Sequence, residues 1–242
     1  MSGVKGRRAL VAGGASGIGA ASAAQLATLD AEVVIADIDA IQGERTARAI
    51  GANFLAVDLS DYDAVMRALA APFDILVNSA GVDQHAFFTH STPQEWRRLL
   101  ALNLEAALNT THVVLPAMQK AGYGRIVNVA SEAGRLGSKG GAVYAAAKGG
   151  VIAFTRSIAR ESGRFGVTAN VVAPGPVDTP MLRRAAAEGG EKLIAAMTSA
   201  TLLGRIGQPE EIAAAIVFLA SEEAGFITGE VLGVSGGMGC GA

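Results

Sequence analysis

The strongest constraint on the fold is the regular alternation of short apolar runs with helical patterns along this chain of 242 residues. Strands and helices that alternate in this way form a parallel sheet with helices on both faces. The apolar runs are rich in Val, Ile and Leu without polar alternation, which is typical of strands covered on both sides. The predicted strands are residues 7–13, 32–37, 53–57, 73–79, 125–130, 167–173 and 230–234. The predicted helices are residues 17–29, 40–50, 61–70, 93–120, 143–163 and 209–220.

We therefore predict an α/β fold over residues 1–242, a single doubly wound Rossmann-type domain with a seven-stranded parallel sheet. A chain of this length is within the range of single α/β domains. Residues 179–207 carry no predicted element and are expected to form a substrate loop. Ligands of such folds lie beyond the carboxyl ends of the strands, where this loop begins.

Composition excludes several classes of function. The formal net charge of −2 gives no basis for binding nucleic acid or an anionic membrane. Cys240 is the only cysteine, so an internal disulfide is excluded. The first 15 residues lack a signal pattern and no apolar run approaches the length of a membrane span, so we expect a cytoplasmic protein. The three histidines show no metal-ligand spacing, and no metal is predicted.

A glycine-rich turn predicts a dinucleotide site. Residues 13–19 read Gly-Gly-Ala-Ser-Gly-Ile-Gly between the first strand and the first helix. Glycines let the backbone approach a pyrophosphate, and the helix N-terminus favours its negative charge. The second strand ends in Asp37, at about the spacing expected of a carboxylate on the adenosine ribose. This carboxylate would repel a 2′-phosphate and Ile38 offers no cation, so we predict NAD rather than NADP; a helix-capping role for Asp37 is the alternative.

Three further residues carry proton-transfer chemistry. Ser131, Tyr144 and Lys148 are 13 and then 4 residues apart, and the last two would share one helix face. A free phenol titrates near ~10. A cation one turn away is expected to lower that pKa and make Tyr144 a usable general acid and base. The Ser131 hydroxyl could hydrogen-bond the substrate oxygen, so the set is suited to interconverting an alcohol and a ketone.

Together these motifs resemble the short-chain dehydrogenase/reductase family over essentially the whole chain. The resemblance implies a catalytic tetrad of Asn103, Ser131, Tyr144 and Lys148, in which Asn103 holds a water that links Lys148 to solvent. Asn103 would need a polar break in its helix. The resemblance also implies a homotetramer, with the helices at 93–120 and 143–163 paired in one interface. The implied cofactor-binding residues are Gly13, Ser16, Gly17, Ile18, Gly19, Asp37, Ile38, Asp58, Leu59, Asn78, Ala80, Gly81, Tyr144, Lys148, Pro174, Gly175, Val177 and Thr179.

Within this family, the segments 130–180 and 225–237 resemble alicyclic hydroxyacyl-CoA dehydrogenases of the 2-hydroxycyclohexanecarboxyl-CoA type. The expected function is therefore NAD(H)-dependent interconversion of a secondary alcohol and a ketone, on a cyclic or hydroxyacyl-CoA substrate. Carbonyl, sugar-ketone and 3-oxoacyl carrier-protein reductases are alternatives; they usually prefer NADP, against which Asp37 argues. A non-catalytic dinucleotide-binding sensor is a remote alternative, because a sensor needs no Ser–Tyr–Lys set.

Three residues are candidates for contact with the substrate. Glu132 directly follows Ser131 and could contact a polar substrate, although a solvated or helix-capping acid is an equal alternative. His85 is a possible polar group of the pocket, with an exposed loop histidine as the alternative. Met181 opens the predicted substrate loop.

Overall fold

The computed structural model of the protein describes residues 3–240, apart from the side chains at 188 and 189, so both ends of the predicted domain lie outside the described residues. All seven predicted strands are present and pair in parallel. The strands are β1 (Arg8–Ala12), β2 (Glu32–Asp37), β3 (Asn53–Ala56), β4 (Ile75–Asn78), β5 (Gly124–Val129), β6 (Val167–Pro174) and β7 (Val231–Val234).

Nine α-helices connect the strands within the described residues. They are α1 (Gly17–Thr28), α2 (Ala40–Ile50), α3 (Tyr62–Ala68), α4 (Pro93–Leu100), α5 (Ala106–Ala121), α6 (Ala133–Leu136), α7 (Ala142–Ser162), α8 (Pro180–Ser199) and α9 (Pro209–Ala220). None of them is long and apolar enough to cross a membrane. The short 3₁₀ turns are Phe88–His90, Gly163–Phe165 and Glu222–Ala224.

The strand order is β3-β2-β1-β4-β5-β6-β7. The chain builds outward from β1 to β3 and then returns to place β4 on the other side of β1. A crevice opens at this reversal, beyond the carboxyl ends of β1 and β4, where doubly wound sheets bind their ligands. The predicted fold class, a single Rossmann-like domain with a seven-stranded parallel sheet, is confirmed.

The sheet is covered by an apolar layer on each face, as its non-alternating strands require. On one face, α1 and α9 bury Leu26, Ile212 and Ile216 in a cluster with Ile35 of β2. On the other face, the cluster combines residues of α3, α5 and α7 with Leu76 and Ile126 of the sheet. The two layers hold the strand ends, and so the crevice, in a fixed position.

Two sequence-based expectations about helices were wrong. The segment 179–207 is largely helical, because Thr179 caps α8 by accepting a hydrogen bond from Leu182 N (3.3 Å) and Pro180 occupies the first turn. The helix expected at 93–120 begins at Pro93 with a capping box formed by Thr92 and Glu95, but it is interrupted by a π-helical segment, Ala101–Glu105. That segment contains Asn103.

Candidate active site

The glycine turn lies directly against the loop that follows β4. Gly13 has a φ of 79°, and a Cβ atom there would collide with the backbone of Ala80. Gly17 has a φ of 56°, and a Cβ on it would lie 3.3 Å from Thr179 Cγ2. The close approach therefore requires glycine, and it brings the first turn of α1 together with Ala80 and Thr179. These are the residues that the sequence predicted to hold a dinucleotide.

Asp37 organises the crevice at the carboxyl end of β2. Its carboxylate accepts hydrogen bonds from Ala15 N (3.0 Å) in the glycine turn and from Asp39 N (3.1 Å). Ile38 is 68% exposed beside it, and Asp39 caps α2 by accepting from Gln42 N. Two carboxylates therefore stand at the end of β2. The capping alternative for Asp37 is wrong, because Asp39 is the residue that caps α2.

Further along the crevice, Asp58 and Leu59 follow β3. Asp58 Oδ1 accepts hydrogen bonds from Ser60 N (2.9 Å) and Ser60 Oγ (2.7 Å), which fixes the carboxylate at the strand end. The backbone oxygen of Leu59 accepts from Asn109 Nδ2 (3.1 Å) on α5. Both predicted residues therefore lie on a loop that is tied to a helix of the core.

The side chain of Asn78, at the end of β4, is buried. Its amide is buried in a polar network, where Nδ2 donates to Asn128 Oδ1 (2.8 Å) and Oδ1 accepts from Thr110 Oγ1 (2.7 Å). Asn128 in turn donates to Thr155 Oγ1 (2.8 Å) on α7. The side chain of Asn78 thus joins β4, β5, α5 and α7, and the binding of a cofactor at Asn78 stays a prediction. Asn128, a polar residue in the apolar half of β5, was the overlooked sequence signal.

Asn103 is at the centre of the π-helical segment, and its side-chain amide is fully hydrogen-bonded. Its Nδ2 donates to Leu99 O (3.0 Å) and to Val82 O (3.0 Å), and its Oδ1 accepts from Val82 N (3.1 Å). The side chain is thus hydrogen-bonded to the carbonyl of Leu99 in the preceding turn and to both the N–H and the carbonyl of Val82 in the loop after β4. The polar break expected at Asn103 is present, and π-helical turns of this kind are frequent at functional sites.

Lys148 reaches into the same region from α7. Its ammonium donates to Val129 O (3.0 Å), and the side chain is 5% exposed. A Cβ at Gly81 would lie 2.6 Å from Asn103 Oδ1 and 3.3 Å from Lys148 Nζ, so glycine is needed where these two groups converge. Asn103, Lys148 and Asn78 line a cavity of about 10 Å³, which is close to the space that one water molecule needs.

Ser131 and Tyr144 complete the tetrad. Ser131 Oγ accepts a hydrogen bond from Ala133 N (3.1 Å), and the Ser131 side chain is close enough to the Tyr144 phenol to lower its pKa. The Lys148 ammonium lies 5.8 Å from the centre of the Tyr144 ring, so the two side chains share one face of α7 as predicted. The structure therefore brings Asn103, Ser131, Tyr144 and Lys148 together from the π-helical segment, the loop after β5 and α7.

The pKa values of Tyr144 and Lys148 differ from those expected from the sequence. Desolvation raises the pKa of Tyr144 to about 12, with a further upward contribution from the negative charge of Asp83 and a downward one from Ser131. Desolvation lowers the pKa of Lys148 to about 8, and Asp83 opposes this effect. The expected lowering of the Tyr144 pKa by Lys148 is therefore wrong for the protein alone, because the loss of hydration is the larger effect. The phenol is held as a proton donor.

The loop after β4 contributes groups that the sequence did not single out. Asp83 acts electrostatically on both Tyr144 and Lys148, and its Oδ2 lies 3.1 Å from His85 Nε2. Gln84 Oε1 accepts hydrogen bonds from Val143 N (3.0 Å) and Tyr144 N (3.1 Å). His85 is thus exposed on this loop and lies against an acid, and its contact with a substrate stays a prediction.

The other two candidates for substrate contact have different positions. Glu132 is 1% exposed, and Arg135 Nη1 donates to both of its carboxylate oxygens (3.1 Å each). Gly233 and Gly239 close over this pair, so Glu132 has no free oxygen for a substrate, and the expected contact is not supported. Met181 is half-buried in the first turn of α8, next to Thr179.

The segment between β6 and α8 is packed against the loop after β5 and the segment after β7. Glu132 N donates to Pro174 O (2.9 Å), and Gly175 packs so tightly on Ser235 that a Cβ would lie 3.0 Å from its backbone. Val177 forms an isolated parallel bridge with Gly207, which fixes the entry into α8. The segment from the end of β6 to the start of α8 thus borders the crevice. It contains four of the predicted cofactor residues, Pro174, Gly175, Val177 and Thr179.

Comparison with known proteins agrees with this geometry. A family described as Enoyl-(Acyl carrier protein) reductase matches residues 13–239. The chain belongs to the short-chain dehydrogenase/reductase family, a family of oxidoreductases that bind a nicotinamide dinucleotide. The predicted family and the predicted oxidoreductase class are confirmed.

The similar proteins include reductases of acyl thioesters. The chain is 39% identical over 243 residues to the 3-oxoacyl-(acyl-carrier-protein) reductase FabG of Vibrio cholerae, with 97% of this chain and 98% of the relative covered. It is 37% identical over 240 residues to the acetoacetyl-CoA reductase of Shinella zoogloeoides, at 96% and 98% coverage. A solved short chain dehydrogenase/reductase family protein superposes with a TM-score of 0.91 at 38% identity, covering 98% of both chains. These relatives do not support the alicyclic hydroxyacyl-CoA type.

Proposed function

We propose that this protein is an NAD(H)-dependent reductase of 3-oxoacyl thioesters that also catalyses the reverse oxidation of the 3-hydroxyacyl product. The observation that carries the reaction is the convergence of Ser131, Tyr144, Lys148 and Asn103 beside the glycine turn. The substrate class follows from the relatives, which are named as reductases of a 3-oxoacyl carrier protein and of acetoacetyl-CoA.

The cofactor would lie across the crevice at the β1–β4 reversal. Its pyrophosphate would meet the glycine turn and the start of α1, where the helix dipole favours negative charge. The adenosine ribose would meet Asp37, which supports NAD because a 2′-phosphate would face the carboxylates of Asp37 and Asp39 beside the apolar Ile38. Gly13 allows the glycine turn to pack on Ala80, and Gly81 allows Asn103 and Lys148 to converge, beside the path where the dinucleotide would pass.

Nicotinamide, when bound, supplies a hydride to the carbonyl carbon in the reductive direction and accepts it in the oxidative one. Tyr144, whose pKa of about 12 keeps the phenol protonated at neutral pH, donates its proton to the carbonyl oxygen. Ser131 hydrogen-bonds the same oxygen and so stabilises the charge that develops on it. One hydride and one proton convert the ketone into the alcohol.

Lys148 and Asn103 would supply protons to Tyr144. Lys148 is mostly protonated at neutral pH with a pKa of about 8, and it is suited to passing on a proton. The cavity of about 10 Å³ between Asn103 and Lys148 would hold the relay water expected there. In the oxidative direction the positive charge of oxidised nicotinamide adds to that of Lys148, and both favour the phenolate.

A panel of substrates and cofactors tests this function. Reduction of acetoacetyl-CoA should be measured with NADH and NADPH, with 2-butanone as a ketone lacking the thioester and with 2-hydroxycyclohexanecarboxyl-CoA in the oxidative direction. The proposal expects efficient NADH-linked reduction of acetoacetyl-CoA and weak turnover of 2-butanone. Preference for the cyclic CoA ester would replace the substrate assignment, and no turnover of any ketone or alcohol would favour the sensor alternative.

We further propose that the protein is a cytoplasmic homotetramer with two-fold symmetry. The outer edge of β7 is an open strand edge among the described residues, and exposed apolar side chains occur on β7, on α9 and between these two elements. Phe226 is fully exposed, Leu232 is 40% exposed and Phe218 is 36% exposed, a pattern that indicates a covered surface. Light scattering should give about four times the chain mass of 24.5 kDa, whereas a monomeric mass would contradict the assembly.

A further inference from the structure

The N-terminus of α7 has no cap from its own sequence. The residue before the helix is Gly141, which has no side chain to accept the first free backbone N–H groups. Tyr144 is the third residue of this helix, so its backbone position depends on how the first turn is held. An uncapped first turn leaves N–H groups without partners, and its conformation is then weakly fixed.

Gln84 supplies the missing cap from a distant part of the chain. Its Oε1 accepts from Val143 N (3.0 Å) and Tyr144 N (3.1 Å), the second and third positions of α7. These are the positions that a conventional N-cap side chain binds. Gln84 is only 9% exposed, so water cannot readily take its place if the side chain is removed.

The same loop is fixed at its other end by the tetrad. Val82, two residues before Gln84, exchanges two hydrogen bonds with the Asn103 amide. Two residues after Gln84, Ala86 N donates to Gly140 O (2.9 Å), immediately before α7. Residues 82–86 therefore connect the π-helical segment that carries Asn103 to the turn that carries Tyr144.

We propose that Gln84 is a positioning residue that fixes the Tyr144 turn relative to Asn103 and Lys148. The inference rests on the proposed function, in which Tyr144 moves the proton. It predicts that loss of the Gln84 acceptor displaces the phenol from Ser131 and slows turnover, while the cofactor crevice is unaffected. Misplacement of a reacting group by about 1 Å can lower a rate by up to about 100-fold.

The chain offers matched variants for a test. Gln84→Met keeps the length of the side chain and removes the acceptor. Gln84→Glu keeps the acceptor and loses no hydrogen bond, because Gln84 Nε2 has no partner among the described residues. Thr92→Val removes the corresponding cap from α4, where Thr92 Oγ1 accepts from Glu95 N (3.3 Å), and it controls for the loss of a helix cap as such.

Steady-state kinetics with acetoacetyl-CoA and NADH, together with NADH binding, should separate the possibilities. We expect kcat of Gln84→Met to fall at least tenfold, with the dissociation constant of NADH changed less than twofold. Gln84→Glu should retain at least a third of the wild-type kcat. Thr92→Val should lower the melting temperature comparably to Gln84→Met but leave kcat unchanged.

A kcat of Gln84→Met within twofold of the wild type would overturn the inference, as would a Gln84→Glu variant as slow as Gln84→Met. If Gln84→Met does not fold, Gln84→Asn replaces it. Its acceptor is one methylene too short to reach both N–H groups, and kcat should fall at least fivefold; an unchanged kcat would again overturn the inference. Tyr144→Phe is measured alongside, because full activity of that variant would refute the proposed function itself rather than the role of Gln84.

Discussion

The buried position of Lys148 should cost the protein stability, and this cost can be calculated. Desolvation lowers the pKa of this ammonium from 10.5 to about 8. Each tenfold change in an acid dissociation constant corresponds to about 1.4 kcal/mol. Below pH 8 the folded protein therefore disfavours the charged side chain by about 3 kcal/mol relative to the unfolded chain. Lys148→Met removes this penalty and also the hydrogen bond to Val129 O, which contributes about 1 to 2 kcal/mol.

The variant should therefore be inactive but more stable than the wild type at pH 7, by about 1 to 2 kcal/mol. For a domain of this size that difference raises the melting temperature by about 3 to 6 °C. A gain in stability on loss of a functional group is typical of residues retained for activity. The free energy of unfolding should be measured in urea at fixed protein concentration, because assembly affects stability.

The pH dependence gives the sharper test. Between pH 8 and 10.5 the unfolded wild-type chain binds one proton more at Lys148 than the folded protein does. The free energy of unfolding of the wild type therefore rises with pH through this window, whereas Lys148→Met lacks this contribution. The advantage of the variant should shrink by about 2 to 3 kcal/mol between pH 7 and pH 10. An equal or lower stability of the variant at pH 7, or a difference that does not change with pH, would refute the reasoning.

Three further predictions concern acids near the site. Asp83→Asn should move the acidic limb of alcohol oxidation to lower pH, since Asp83 raises the pKa of Tyr144; a pH profile of kcat/KM that does not move would contradict this. Asp37→Asn should lower the ratio of the NADPH dissociation constant to the NADH dissociation constant about tenfold, because one negative charge is lost near the 2′-phosphate. An unchanged ratio would argue that Asp37 does not select the cofactor. Glu132→Gln should lower the free energy of unfolding by about 2 kcal/mol, because Arg135 loses its carboxylate partner, while KM stays the same; a raised KM would restore Glu132 as a substrate contact.

The sequence could predict what depends on local pattern. Alternating apolar and helical segments predicted seven strands close to their observed bounds, and the spacing of Tyr144 and Lys148 predicted their shared helix face. Helix α8 was missed, although Thr179 and Pro180 are good start signals, because Gly189 and Gly190 interrupt its apolar pattern. The chain does kink there, with a φ of 67° at Gly190.

What the sequence could not predict depends on contacts between distant segments. Gln84 caps a helix that begins 58 residues later, so nothing in its neighbourhood indicates the role. Glu132 follows Ser131 and was expected near the substrate, yet its direction is set by Arg135 and by the C-terminal glycines that close over it. The pKa of Tyr144 was misjudged because the cation four residues away is visible in the sequence, whereas the loss of hydration is not.

The central claim is that Tyr144 transfers the proton to the carbonyl oxygen of the substrate. It is tested most directly by single-turnover reduction of acetoacetyl-CoA with saturating NADH in the wild type and in Tyr144→Phe, with NADH binding measured on both. General acid catalysis of this kind contributes about 10² to 10⁴-fold. We expect a loss of that size in Tyr144→Phe, with NADH bound as tightly as before. A rate within tenfold of the wild type would contradict the claim.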